Sequence, residues 1–436
     1  MSRIEPRVLK GFRDYLPEVM IPREAMLEAV ARVFRSFGFH PLATPALEYS
    51  DILVGKYGDE GDQLLYRFED NGKRDVSLRY DLTVPLARVM GQHGAQLPRP
   101  FRRYQIAPVW RAEKPAHGRF REFMQCDVDV VGEPSLVADF ECMQVGVAVL
   151  RALGVTRFEM RVNDRRVLDG LMRRLGVADS RQQVEMLRVV DKLPKIGWDA
   201  MLAELRTKVE LDEAGTQALH TFLHGSLDAV DDRVVDLDVA GPGLESLRTL
   251  LGWAAELGIA EHLSVDLSIA RGLDYYTSTI YETFLTDLPS LGSVMSGGRY
   301  DRLLALFTGE ELPAVGISLG VDRLLAGLGE LGLLPASAGA PQVFIAVAGA
   351  AQVPYALRLA AQLRQAGLVV LQGLGADQKL GKQLKLAARV GARITLVVGD
   401  EERLNGTVGL KDMTAGSQVS VSAAEIVAQV RALIPG

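Results

Sequence analysis

Phe120-Arg-Glu-Phe-Met-Gln-Cys-Asp-Val-Asp-Val-Val131 reads as a long β-strand, and so does Arg103-Tyr-Gln-Ile-Ala-Pro-Val-Trp110 before it. A polar loop, Arg111 to Arg119, joins the two runs, which makes a long antiparallel hairpin. Other strand patterns lie at Leu263–Ile269, which alternates like a half-buried strand, at Thr279–Phe284 and at Pro313–Leu319. Helical periodicity covers Pro22 to Phe37 and stops at Gly38. The spacing predicts a further helix from Thr83, with Thr83 as N-cap and Pro85 in the first turn, and another from Val321. Phe39 to Leu47 reads as an extended strand broken by prolines, and Pro41 and Pro45 confine it to an edge or an interface. Asp75 to Tyr80 is a short alternating strand, and Ser293 to Asp301, with Gly297 and Gly298, is expected as a glycine turn feeding a helix. The sheet of this first domain is therefore mainly antiparallel with helices beside it, an α+β arrangement.

Residues 165–260 change character. They are rich in Leu, Arg, Glu and Asp at helical spacing and are expected to form a helical insertion. Residues 334–341 read as a linker of Ala, Ser, Gly and Pro. Beyond it, strand and helix patterns alternate over residues 342–436, which implies a small α/β domain with a mostly parallel sheet. The expected division is thus 1–333, a linker, and 342–436.

The 436 residues are too many for one ordinary core, and 48% hydrophobic with 24% charged residues is a globular composition. A net charge of −6 excludes a global basic field, so any nucleic-acid contact must be local. Two cysteines, Cys126 and Cys142, cannot build a disulfide framework and suit a reducing cytoplasm. No run reaches the length of a membrane span, and the first residues carry no apolar signal core. No membrane partner is expected.

The chemistry concentrates in arginines. Arg111-Ala-Glu113 and Arg119-Phe-Arg-Glu-Phe123 bracket the hairpin loop, where facing arginines can clamp a polyphosphate and Phe123 can stack on a base. Gly320 allows close approach of a ligand beside Arg323. Arg271-Gly-Leu-Asp-Tyr275-Tyr276 places a cation, a carboxylate and two phenols after a strand. This set fits phosphoryl or nucleotidyl transfer, in which positioning and charge neutralisation do most of the work. Neither a P-loop nor a dinucleotide-binding glycine fingerprint occurs. His220 and His224 sit four apart on a predicted helix, but no third metal ligand is evident nearby, so no metal site is assigned.

The hairpin, the Gly320–Arg323 junction and the proline-bearing segment at Pro45 resemble motifs two, three and one of class II aminoacyl-tRNA synthetases. Ser77-Leu-Arg-Tyr-Asp81-Leu-Thr83, Arg271 to Tyr276 and Ser296-Gly-Gly-Arg-Tyr-Asp301 resemble the signatures of the histidyl-tRNA synthetase family, and Gly375 to Lys382 its anticodon-binding domain. The resemblance implies that histidine is activated with ATP and then carried to histidine tRNA. It implies Asp81 and Thr83 for the α-ammonium of histidine. Gln125, Asp129, Tyr275 and Tyr276 would line the ring pocket, Gln125 nearer the amino-acid backbone. It implies Arg111 and Arg271 as the catalytic cations that hold histidine and the α-phosphate. Phe123 and Arg323 would sandwich adenine, and Glu113 and Arg119 would complete the ATP site. Mg²⁺ would accompany ATP, and a homodimer would form through the Phe39–Leu47 segment. A pocket that pairs both ring nitrogens rejects apolar rings, because unpaired buried polar groups are costly.

The competing reading is a non-catalytic regulatory paralogue of histidine biosynthesis. The C-terminal domain and Arg111, Arg271 and Arg323 weigh against it. A synthetase for another amino acid is opposed by the Arg271–Tyr276 signature. Two departures stand out. Many bacterial relatives resemble Glu-Gly-Thr where this chain has Asp81-Leu-Thr83, and many carry glutamine at Ala116 in the hairpin loop. Ala116 cannot donate a hydrogen bond, so weak dependence on the extra 5′ guanosine of histidine tRNA is expected.

Overall fold

The computed structural model describes residues 4–115, 119–209, 211–270, 276–334, 340–373 and 378–434. The chain divides into two compact units, Met1–Leu334 and Pro335–Gly436.

An eight-stranded sheet organises the first unit. Its order is His40–Pro41, Phe101–Trp110, Glu122–Val131, Ala314–Gly320, Ser293–Arg299, Thr279–Leu285, Phe158–Asp164, Leu263–Val265. Every central pairing is antiparallel and only the two outermost strands pair parallel. The hairpin runs in unbroken register from Phe101 opposite Val131 to Trp110 opposite Glu122. Helices Pro17–Ser36 and Leu136–Ala152 pack together, and the second lies on the sheet through Cys142, Met143, Val149 and Leu150. Gly146 lets that helix come close, since a Cβ there would sit 2.9 Å from Met160 Cε and 3.0 Å from Ile317 Cδ1.

Between residues 165 and 256 the described chain is helical, and aspartates start its helices. Asp164, Asp179, Asp212 and Asp236 each accept a backbone N–H at the head of helices Arg165–Arg174, Ser180–Val190, Glu213–His224 and Leu237–Glu256. Helices Arg165–Arg174 and Leu237–Glu256 cross closely at Gly170, where a Cβ would meet that of Ala240 at 2.7 Å.

Several expectations change. The Phe39–Leu47 segment, broken by its prolines as expected, is divided between two sheets. His40–Pro41 joins the large sheet, while Leu47–Tyr49 pairs with Asp75–Leu78 and, through it, Arg67–Glu69 in a separate three-stranded sheet. Pro41 and Pro45 have no N–H to donate, so a continuous ladder is impossible. Leu263–Ile269 is a strand only to Val265, because the Asp266 carboxylate accepts the Ser268 amide and hydroxyl and turns the chain. Ser293–Arg299 is a strand in the middle of the sheet rather than a glycine turn. Gly297 and Gly298 serve clearance there: a Cβ would lie 2.2 Å from the Gly316 carbonyl at one and 2.4 Å from the Thr279 carbonyl at the other.

The second unit has a five-stranded sheet in the order Val370–Gln372, Val343–Val347, Ile394–Val398, Thr407–Asp412, Gln418–Ser422. The first three strands are parallel, and the last two add as an antiparallel hairpin, so the sheet is mixed rather than mostly parallel. The Asp412 carboxylate accepts the Thr414 and Ala415 amides in the hairpin turn. Buried Gln383 bonds both the N–H and the C=O of Val347, which fastens helix Leu380–Arg389 to the sheet. No helix among the described residues is long and apolar enough to cross a membrane.

Candidate active site

Strand Glu122–Val131 sorts its side chains by alternation. Cys126, Val128 and Val130 belong to the main core. Gln125, Asp127 and Asp129 therefore share the opposite face, and all three are buried. A buried polar row needs partners. Gln125 Nε2 donates to Ser318 Oγ at 2.8 Å. Arg103, wholly buried, stands opposite Asp129 in the hairpin register and lies 2.6 Å from its Oδ2. The Tyr300 hydroxyl donates to Asp129 Oδ1. Arg103 also donates to the Leu82 carbonyl at 3.2 Å, tying the polar strand to the loop that carries Asp81 and leads into helix Thr83–His93. Gly316 makes room for this arrangement, since a Cβ there would stand 2.1 Å from Asp129 Oδ1. Gly316→Ala is expected to lower stability by about 1–3 kcal/mol, the range for overpacking, in chemical denaturation.

Asp81 caps helix Thr83–His93. Its Oδ1 accepts the Val84 amide and the Tyr57 hydroxyl, both at 3.1 Å. This replaces the expected role of Thr83, which is the first helical residue and lines a recess with Asp127, Asp129 and Tyr276. Asp81 Oδ2 is buried and has no hydrogen-bond partner. Burial pushes the Asp81 carboxyl up, opposed by the Val84 amide and by the nearby Arg111 charge. Burial also raises Asp127, to about 7, against the pull of Arg103 and with a further push from Asp129. Tyr276 is raised by burial and then by the carboxylates Asp129 and Asp127.

A cavity of about 440 Å³ adjoins the recess and shares Tyr276, Ser296, Gly297 and Ser318 with it. Its size suits a small-molecule ligand. Arg111, Glu113, Arg119, Phe123, Gln125, Tyr276 and Arg323 all line it. Arg111 Nε donates to the Tyr80 carbonyl at 3.2 Å, and its guanidinium lies over the rings of Tyr80 and Phe123, 4.3 and 5.1 Å from their centroids. Arg323 donates to the Ser293 carbonyl at 2.7 Å. Arg119 and Glu113 make only a loose contact at 4.0 Å.

The sequence reading missed what braces this wall. Asp322 Oδ1 accepts from Arg13 at 2.7 Å and from the Tyr15 hydroxyl at 2.5 Å, while its Oδ2 accepts the Met124 amide at 3.1 Å. Arg13 also lies 3.6 Å from the Phe120 ring centroid. Asp322 thus fixes the start of helix Val321–Glu330, and with it Arg323, against the hairpin beside Phe123. A carboxylate beside Arg323 at a helix start was the available signal. Asp127 was missed too, although an acidic residue between two polar ones at alternate strand positions marks a shared face. Arg271 and Tyr275 lie outside the described residues, as do the hairpin-loop residues 116–118 and Gly375 to Asp377. His220 and His224 stack on each other at 4.4 Å and pack edge-on against Trp198.

Residues 11–324 match the family model of histidyl-tRNA synthetase. The chain belongs to the histidyl-tRNA synthetase family. Residues 342–433 match the anticodon binding domain model. The chain is 44% identical over 426 residues to a histidine–tRNA ligase of Rhodopirellula baltica, covering 96% of both chains. It is 41% identical over 436 residues to one of Wolinella succinogenes, covering 98% of both. Among solved structures, the histidyl-tRNA synthetase of Nostoc sp. PCC 7120 is similar with a TM-score of 0.86 at 32% identity, over 99% of this chain and 100% of that one. A Bacillus halodurans protein described as an ATP phosphoribosyltransferase regulatory subunit/histidyl-tRNA synthetase shares the fold, with a TM-score of 0.76 at 22% identity over 91% of this chain.

Proposed function

We propose that this cavity and its recess join histidine to ATP as histidyl-adenylate, and that the enzyme then transfers histidine to the 3′ end of histidine tRNA. The observation that carries the reading is a pairing of opposites. A buried carboxylate oxygen of Asp81 has no hydrogen-bond partner, and the adjoining cavity is lined by Arg111, Arg119 and Arg323. A zwitterionic amino acid and a polyphosphate need that combination of cation acceptor and anion clamp. Asp81 and Thr83 take the α-ammonium, and Gln125, Asp129, Tyr275 and Tyr276 surround the ring. Arg111 and Arg271 hold the α-phosphate while the histidine carboxylate attacks it in line. Phe123 and Arg323 sandwich adenine, with Glu113 and Arg119 beside the outer phosphates. No side-chain nucleophile is needed.

Mg²⁺ suits the site, because Glu113 and Glu282 supply hard carboxylate oxygens in the cavity wall and this ion takes one or two of them together with substrate phosphates. When bound it would offset the charge on the departing pyrophosphate. The retained arginines and the anticodon-binding match do not favour the regulatory alternative.

Residues 342–436 are proposed to read the anticodon, with residues 165–260 an insertion in the catalytic domain 1–333. Lys379, Lys382 and Lys385 are exposed at and along helix Leu380–Arg389. Changing all three to alanine should weaken tRNA charging on the order of tenfold while leaving pyrophosphate exchange unchanged. A homodimer in the cytoplasm is part of the same reading. It is supported by the exposed apolar side chains Leu47, Tyr49 and Phe68 on the small three-stranded sheet. Sedimentation should give a dimer at assay concentrations, and an active monomer would refute that part. Asp81→Asn should raise KM for histidine by roughly 10- to 100-fold, the range for losing a hydrogen bond to a charged group, with a smaller change in kcat. The direct test of the whole reading is charging of a histidine tRNA transcript, which no other tRNA should replace.

A further inference from the structure

None of the residues Lys10–Tyr15 lines the cavity, yet this loop ties together the hairpin that carries Phe123 and the helix start that carries Arg323. On the hairpin side, the Gly11 carbonyl accepts the Arg121 amide at 2.8 Å, and the Lys10 carbonyl accepts from the Arg121 guanidinium at 3.2 Å. Arg121 Nε in turn donates to the Glu113 carbonyl at 3.0 Å, across the mouth of the hairpin. Gly11 has a φ of +87°, and a Cβ there would stand 2.7 Å from Arg121 Cδ, so this approach requires glycine.

On the helix side, Arg13 and the Tyr15 hydroxyl both donate to Asp322 Oδ1, and Arg13 also donates to the Tyr15 oxygen at 2.8 Å. Two guanidiniums lie over the Tyr15 ring, Arg13 at 4.4 Å and Arg23 of helix Pro17–Ser36 at 4.3 Å from its centroid. Arg23 is buried and stands 3.7 Å from the same Asp322 oxygen. Burial, and next the Asp322 carboxylate, push the Tyr15 hydroxyl up, so it stays a protonated donor at neutral pH. A buried carboxylate that faces two cations and a hydroxyl is held in one place. Asp322 precedes Arg323 in the chain, and its Oδ2 accepts the amide of Met124, which follows Phe123. The position of this one carboxylate therefore sets both residues that would enclose adenine.

We propose that Tyr15 and Arg13 are positioning residues for ATP: through Asp322 they set the gap between Phe123 and Arg323, and so govern nucleotide affinity without touching the nucleotide. This rests on the reading in which that pair sandwiches adenine. A supporting group that lets such a site loosen by about 1 Å costs affinity although it makes no contact with the ligand. The groups proposed for the α-ammonium of histidine, Asp81 and Thr83, belong to another element, the start of helix Thr83–His93. Histidine affinity should therefore be left nearly unchanged.

The test is ATP–pyrophosphate exchange by the full chain as wild type, Tyr15→Phe, Arg323→Ala and the double variant, with KM read separately for ATP and for histidine. Tyr15→Phe keeps the ring and removes one donor. It should raise KM for ATP roughly three- to tenfold, the worth of one hydrogen bond, and leave KM for histidine within about twofold. A mere loss of folded protein would instead lower kcat at unchanged KM. In the Arg323→Ala background one wall of the gap is already gone, so the same substitution should change KM for ATP less than about twofold. Arg13→Lys is a second probe in the same cycle, expected to act in the same direction, because an ammonium keeps the charge but loses the planar fork. Unchanged KM for ATP in Tyr15→Phe and Arg13→Lys would overturn the proposal. So would equal increases for both substrates, or the same fold increase with and without Arg323. Normal KM for ATP in Arg323→Ala would instead remove the adenine reading, and the proposal with it.

Discussion

Arg111→Ala is expected to slow histidyl-adenylate formation by roughly 10²–10³-fold, the cost of removing one preorganised charge stabiliser. Arg111 is held in place before any ligand arrives. Its Nε is committed to the Tyr80 carbonyl and its guanidinium lies over Tyr80 and Phe123. No bond among the described residues engages its terminal nitrogens, so the fork is available to a phosphate. Charge that is positioned in advance needs no reorganisation as the α-phosphate becomes pentacovalent. Arg111→Lys should recover only part of the rate, because an ammonium keeps the charge but loses the planar fork. Single-turnover adenylate formation measures this directly. A folded alanine variant within fivefold of the wild type would refute the role.

Arg103→Met is expected to destabilise the catalytic unit by about 3–5 kcal/mol, the cost of leaving a buried charge without its partner. Arg103 is wholly buried, 2.6 Å from Asp129 and bonded to the Leu82 carbonyl. Removing it strands Asp129 and Asp127 together and frees the loop bearing Asp81. Asp129→Asn in the Arg103→Met background removes the stranded charge, so the double variant should be more stable than Arg103→Met alone. Urea denaturation monitored on the catalytic unit decides between the outcomes. A loss below about 1 kcal/mol for Arg103→Met would show that water reaches the recess and screens the pair.

Both predictions rest on features of unequal visibility in the sequence. The hairpin was legible because each strand is long and the loop between them is polar. The arginines at its mouth were legible because facing cations on one hairpin have a specific chemical use. Arg103 was invisible as a structural cation: a strand arginine reads as a solvated edge residue until its register opposite Asp129 is known. Ser293–Arg299 was misread because glycines normally signal turns. Here Gly297 and Gly298 are demanded by close approach to neighbouring strands, a tertiary cause that local pattern does not carry. Phe158–Asp164 and the Thr407–Ser422 hairpin were passed over although Phe158-Glu-Met-Arg-Val162 and Gln418-Val-Ser-Val-Ser422 alternate with the period of a strand. The bracing of Arg323 through Asp322, Arg13 and Tyr15 joins residues some 300 positions apart, and no local signal foretells it.

The central claim is that this site activates histidine and no other amino acid. ATP–pyrophosphate exchange by the whole chain, run with each proteinogenic amino acid in turn, tests it most directly. The account predicts rapid exchange with histidine and background rates with every other amino acid, phenylalanine and glutamine included, because their side chains cannot satisfy the acidic ring pocket. Exchange that histidine fails to support, or that another amino acid supports better, would contradict it.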